Sequence, residues 1–388
     1  MPYAAACSVS TASEEALREA CRDVAAQLGG TAPDLSLLFV SRHHAEHFAA
    51  LVAAAARETG SRHLLACTAE SIVAGDKEIE EGPALSLWCG VLPGAELESF
   101  HVEFEQTPDG PICAGLPDPP AEVSDHRAVL MLADPFSCAV DTLIGRLADD
   151  LPGVPLLGGM ASGGTGPGEN RLGWNGQEVA GGGVGVVIRG GPQVRSVVSQ
   201  GCRPIGTTFV VTKSDRNVLF ELGGKTALAR LEETYAGLSE RDRRLIRHGL
   251  HMGIAMDEYK PAFARGDFLI TNVLGADRET GAMAIGNLIR TGQTVQFHVR
   301  DADSADEDLR HLLAAGLPAD RPAPGAALLF SCNGRGTRIF PEPNHDAGVV
   351  RELCGTIPVA GFFAQGELGP VGGRNYIHGF TASIALFE

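Results

Sequence analysis

The sequence predicts an α/β fold with α+β character: two lobes of mixed β-sheets flanked by helices, built from repeated β-α-β-β units. Three observations predict it. One order of strand, helix, strand, small-residue loop and strand recurs three times along the chain. A strand-rich stretch of different character separates the second recurrence from the third. The chain has 388 residues, more than one small core serves, so two domains are expected.

Residues 1–34 read as an N-terminal helical segment. The first repeat then opens with the apolar strand Leu35–Val40 and a helical stretch, His44–Arg57. Strands Leu64–Thr68 and Ala84–Val91 complete it. The second repeat reads strand Ala128–Ala133, helix Cys138–Asp149, strand Val154–Gly158, strand Gly183–Ile188. The third reads Ala326–Ser331, Asp346–Cys354, Ile357–Phe363, Phe380–Phe387. Each strand-helix-strand crossover should be right-handed with its strands parallel. The strand that follows should add an antiparallel partner.

Between the second and third repeats, Arg195–Gly201, Thr207–Val211 and Val218–Leu222 read as strands, followed by a helix from Lys225 to Tyr235. Phe268–Leu274, Ala282–Ile285 and Thr294–Arg300 form another strand set. Ser304 and Glu307 read as a capping box opening a helix to Ala315. Basic Arg241–His248 reads as a solvated helix face. Thr107–Glu122 and Gly316–Gly325 are rich in Pro and Gly and read as linkers. The domain boundary is expected near Gly223, dividing residues 35–223 from 224–388.

Charge and composition exclude several classes. The net charge of −17 would repel a phosphate backbone, so no nucleic-acid partner is expected. No apolar run reaches the ~18 residues of a membrane span. No secretory signal is legible, so the expected compartment is the cytoplasm. Nine cysteines without a C-x-x-C pair suggest neither a zinc ribbon nor a redox motif.

Several motifs invite sharper readings and decline them. Gly223-Gly224-Lys225-Thr226 lacks the earlier glycine of a phosphate-binding loop, and Leu219 stands there. Gly158–Gly168 follows a strand but opens no helix, which argues against a dinucleotide fingerprint. A tight loop and a backbone-lined pocket wall both remain open for it. His43, His44 and His47 have helical spacing but lack further metal ligands. Asp301-Ala302-Asp303 lacks the glycine of a calcium loop. Ser162 is not in a nucleophile elbow. Cys332 ends a strand close to Arg335, and Cys202 precedes Arg203; both are candidate thiols, with packing the simpler reading. No catalytic constellation, metal site or cofactor is expected.

The most specific signal is the carboxyl-terminal run Gly361-Phe362-Phe363-Ala364-Gln365-Gly366-Glu367-Leu368-Gly369-Pro370-Val371-Gly372-Gly373-Arg374-Asn375-Tyr376-Ile377-His378-Gly379-Phe380. It resembles the C-terminal signature of FIST proteins. Pro155–Gly164, Ser199-Gln200-Gly201-Cys202-Arg203-Pro204-Ile205-Gly206 and Cys332-Asn333-Gly334-Arg335-Gly336 resemble other segments of that family, in the expected order. The resemblance implies an N-terminal and a C-terminal FIST domain forming a sensory module that binds a small ligand, amino acids being suggested. No output region is legible, so the resemblance implies a separate signalling partner. Ligand-binding candidates are Asn333, Arg335, Gln365, Glu367, Arg374 and Asn375, expected to converge on one cleft, with Gly158, Gly159, Ser162 and Arg203. Arg374 or Arg335 would take a carboxylate and Glu367 an ammonium. The alternatives are a thiol-dependent enzyme using Cys332 or Cys202, and a scaffold with purely structural glycine loops.

Overall fold

The computed structural model describes residues 2–108, 110–120 and 122–388, with the side chain of His248 excepted. Met1, Asp109 and Ala121 lie outside the described residues. The first belongs to the expected N-terminal segment and the other two to the expected Thr107–Glu122 linker. The chain divides into two compact units, residues 1–198 with 310–388, and residues 199–309. This cut differs from the division at Gly223, where Gly223-Gly224 is the turn between strands Val218–Leu222 and Lys225–Thr226 of the second unit.

The threefold repeat is present in the first unit. Each repeat centres on a parallel strand pair: Leu35–Ser41 with His63–Ala69, His126–Ala133 with Leu156–Met160, and Ala326–Cys332 with Val359–Ala364. An antiparallel strand lies beside the first member of each pair: Leu85–Gly90, Gly183–Gly190 and Ala382–Phe387. Leu35–Ser41 is buried at every position, as a strand covered on both faces should be.

A short hairpin occupies the loop between the last two strands of each repeat, and none of the three joins its own sheet. In the first repeat's hairpin, Ile72–Ala74 pairs with the third repeat's Val359–Ala364 and Lys77–Ile79 pairs outside it. In the second repeat's, Leu172–Trp174 pairs with the first repeat's His63–Ala69 and Gln177–Val179 pairs outside it. In the third repeat's, Glu367–Val371 pairs with the second repeat's Leu156–Met160 and Arg374–His378 pairs outside it. The exchange is cyclic and interleaves all three sheets. Their inner faces share one apolar core, with Phe39, Phe330 and Phe362 meeting at ring distances of 5.3–6.4 Å.

Helices cover the outer faces. Phe48–Thr59 buries Phe48, Leu51, Val52 and Ala55, a stripe at helical spacing. It stops at Gly60, whose φ of 64° lets its N–H reach Ala56 O. The expected start at His44 is corrected: Arg42–His47 is a 3₁₀ turn. The N-terminal segment contains a strand, Tyr3–Ser8, as well as the helix Ser13–Gln27. The expected linker contains the strand Gly110–Ala114, paired with Ala95–Thr107.

The second unit is a closed antiparallel barrel. Its strands are Arg203–Asp215, Thr294–Val299, Leu250–Ala255, Phe268–Ala276, Met283–Ile285 and Val218–Leu222, which pairs back to the first. Closure removes the sheet edges. Met252, Ile254, Met283, Val295 and Phe297 lie within its apolar core. The helix Ala302–Ala315 starts before the expected capping box, because Asp301 Oδ1 accepts the Ser304 N–H at 2.8 Å. Among the described residues no helix is long and apolar enough to cross a membrane.

Candidate functional site

Parallel strand pairs send their carboxyl ends to one edge, where open α/β sheets bind ligands. In the first unit the edges of the three repeats meet at Ser162. Its N–H donates to Thr68 O at 3.2 Å, near the carboxyl end of the first repeat's second strand. Its hydroxyl accepts the Glu70 N–H at 2.9 Å and donates to the carbonyl of Phe363 in the third repeat. Close glycines make this approach possible. Gly158 has φ 144°, and a Cβ there would lie 1.8 Å from Met131 O. A Cβ on Gly159 would lie 2.7 Å from that of Ala364. Gly372 and Gly373 also have positive φ, at 58° and 76°.

Around this knot stand four polar side chains from different segments. The Arg338 guanidinium pairs with the Glu70 carboxylate through both nitrogens and also donates to Asn333 O. Arg338 is about half exposed and Glu70 about a quarter. Asn333 is half-buried, its N–H held by Ala364 O at 2.8 Å; Gln365 is exposed, its N–H held by Met160 O at 3.0 Å. Glu80 fixes the adjoining loop by accepting the Thr337 N–H at 3.0 Å and the hydroxyl at 2.7 Å.

Behind Asn333 lies a buried thiol and carboxylate. Glu367 is fully buried and accepts the Thr381 N–H at 3.0 Å. Cys332 also hydrogen-bonds with Glu367, and its Sγ accepts the Gly334 N–H at 3.4 Å. Burial, then the charge of Glu367, push the Cys332 thiol up to about 12. This is the opposite of an activated thiolate.

The edge therefore gathers Ser162, Gly159, Asn333, Gln365 and Glu367 among the expected residues. It does not gather Arg374 or Asn375. In the hairpin ladder Glu367 faces His378, whereas Arg374 faces Val371. Four strand residues, roughly 13 Å, thus separate Glu367 from the tip carrying Arg374. Arg374 is exposed there, and Glu367 is buried, so the two do not close the loop as an ion pair. Asn375 clips the start of a neighbouring strand, accepting from Leu156 N at 2.9 Å and donating to Val154 O at 2.8 Å.

Arg335 lies near the edge but turns inward. It is fully buried; its Nε and Nη2 each reach Asp346 at 2.7 Å, and Nη1 reaches Phe380 O at 3.4 Å. Its guanidinium also lies over the Phe340 ring. A guanidinium so occupied holds the loop to the helix His345–Cys354. Arg203 belongs to the second unit, where it pairs with Asp242. The surrounding motif latches that barrel: Gln200 spans Phe268 O and Ile270 N, while Ser199 and Gly201 both donate to Asp308. Cys202 is buried beside it.

Glu70 and Arg338 were not anticipated. Glu70 lies two residues beyond the predicted strand Leu64–Thr68 and directly after the observed one, His63–Ala69, and Arg338 lies three residues beyond Arg335. Among the described residues no group of three or more His, Cys, Asp or Glu could hold a metal ion.

Comparison with known proteins places both halves of the chain in one family. Residues 34–225 match the FIST N domain and 227–370 the FIST C domain. The chain is 44% identical to the uncharacterized protein Rv0628c of Mycobacterium tuberculosis over 382 residues, 98% of each chain. It is 43% identical to the uncharacterized protein Mb0898c of Mycobacterium bovis over 384 residues, 98% of this chain and 97% of that one. With both domains matched across nearly its whole length, the chain belongs to the FIST family.

Proposed function

We propose that the protein is a cytoplasmic sensor that binds a small zwitterion, an amino acid or a close relative, at the edge around Ser162. One observation carries the reading: Glu70 and Arg338 bring opposite charges from different repeats to a solvent-accessible edge, beside the polar side chains of Asn333 and Gln365. A ligand carrying both charges can exchange with that pair, its carboxylate taken by Arg338 and its ammonium by Glu70. FIST domains are assigned to sensory and signal-transduction families, which supports the same reading. All nine cysteines are thiols, in keeping with a reducing compartment.

A thermal-shift screen of the protein amino acids, followed by calorimetry on any hit, tests the proposal. Arg338→Ala and Glu70→Gln should each weaken binding at least about tenfold, or about 1.4 kcal/mol, with the fold retained. No shift with any amino acid, or unchanged affinity in both variants, would sink it. The enzyme reading has one contact in its favour, Glu367 beside Cys332. The raised thiol speaks against it, so we favour binding without catalysis.

A further inference from the structure

A cavity of about 310 Å³ lies elsewhere in the first unit, between strands Ala95–Thr107 and Gly183–Gly190, the end of helix Val140–Asp150 and the segment 116–120. Its volume falls at the small end of the roughly 300–1,000 Å³ of ligand pockets. Leu116, Leu147, Leu151 and Val187 give it an apolar lining, with Pro117, Pro119 and Pro120 on one side. The proline segment has little backbone freedom to lose on binding.

The charges lining the cavity are unbalanced. Arg189 is engaged by Glu96, and Asp150 by Arg146. His126 has its Nδ1 within 3.2 Å of Val123 O. That leaves Glu98 and Asp118. Both are exposed carboxylates lining the cavity, and neither has an ion pair or side-chain hydrogen bond among the described residues. An apolar lining beside two unengaged carboxylates selects a ligand with an apolar body and a cationic head. An anion of the same shape would meet repulsion.

We propose that this cavity is a second ligand site, distinct from the edge at Ser162, and that it takes a small organic cation: an amine or guanidine on a hydrophobic body. The ammonium lies between Glu98 and Asp118, and the body covers Leu147, Leu151 and Val187. Apolar burial supplies most of the affinity, and the carboxylates set the sign of charge accepted.

Titration of the whole protein with tryptamine, and separately with indole-3-propionate, provides the test by calorimetry and ligand-observed NMR. Tryptamine should bind saturably and weaken as salt is raised, because the two carboxylates are exposed. Indole-3-propionate should bind at least tenfold more weakly. A Glu98→Gln/Asp118→Asn double variant should lose most tryptamine affinity without a change in melting temperature. Arg338→Ala should leave tryptamine binding unchanged, which separates this site from the other. No saturable tryptamine binding at millimolar concentration, equal binding of the anion, or full affinity in the folded double variant overturns the proposal.

Discussion

Glu78 and Asp346 are two buried carboxylates beside one guanidinium, and only Asp346 is bonded to it. Arg335 grips Asp346 with two nitrogens at 2.7 Å, while Ser331 adds a hydroxyl donor at 2.6 Å. Glu78 instead accepts the Ala347 N–H at 2.9 Å through one oxygen, and its other oxygen has no hydrogen-bond partner among the described residues. The consequences are opposite. The Arg335 guanidinium holds Asp346 well below the usual carboxylate range. Burial, then the charge of Asp346, push Glu78 up to about 8. Glu78 belongs to the first repeat and Asp346 to the third, so their proximity follows from the hairpin exchange.

A pH-dependent cost follows for Glu78. Its folded pKa lies above its ordinary 4.5, so the folded state is favoured below 4.5 and that advantage is lost as pH rises through about 8. Glu78→Gln removes the ionisation and can keep the Ala347 hydrogen bond. The variant should match the parent at pH 5 and exceed it by on the order of 2 kcal/mol at pH 8. Urea denaturation at both pH values measures this. A stability difference independent of pH would contradict the assignment.

Arg335 should behave as structure rather than as a ligand contact. Arg335→Leu strands Asp346 as an uncompensated buried charge and should cost about 3–5 kcal/mol. Adding Asp346→Leu should recover part of that loss. Equilibrium unfolding of the two variants measures it; a single variant within about 1 kcal/mol of the parent would show the pair to be dispensable.

Acid should act through buried imidazoles. Burial lowers His251, His298 and His378 each to about 4. These groups are neutral when folded, whereas the unfolded chain takes up protons near 6.5. Their contribution is therefore present above 6.5 and lost as pH falls toward 4, at up to about 1.4 kcal/mol per pH unit for each. NMR should find all three ring resonances unmoved between pH 8 and 5.5. Any of them titrating near 6.5 would remove that histidine from the account.

Deleting Phe380–Glu388 should abolish cooperative folding. Ala382–Phe387 is buried throughout and lies between strands Val194–Ser199 and Ala326–Cys332, a central position rather than an edge. Gel filtration and calorimetry of the truncated chain are decisive. A monomer with an unchanged melting transition is the contrary result.

The sequence by itself determined the three repeats, their crossover helices and the apolar strands, because continuous apolar runs and helical spacing are local records of burial. Leu35–Val40 and Ala326–Ser331 were legible for that reason, each one residue short of the observed strand. It also marked Ser162, Asn333 and Gln365, since polar residues following buried strands must sit at the carboxyl edge. Tertiary structure alone decided which sheet each hairpin joins. Ile72–Ala74 is three residues long and finds its partner nearly 300 residues later in the chain, at Val359–Ala364. No local pattern encodes such a pairing. The same exchange brought Glu70 to Arg338 and Glu78 to Asp346, and strand register sent Arg374 to the far end of its hairpin. The fate of Arg335 was likewise settled by burial: beside Asp346 a guanidinium serves as a buried ion-pair partner, whereas the same motif facing water would have been a binding group.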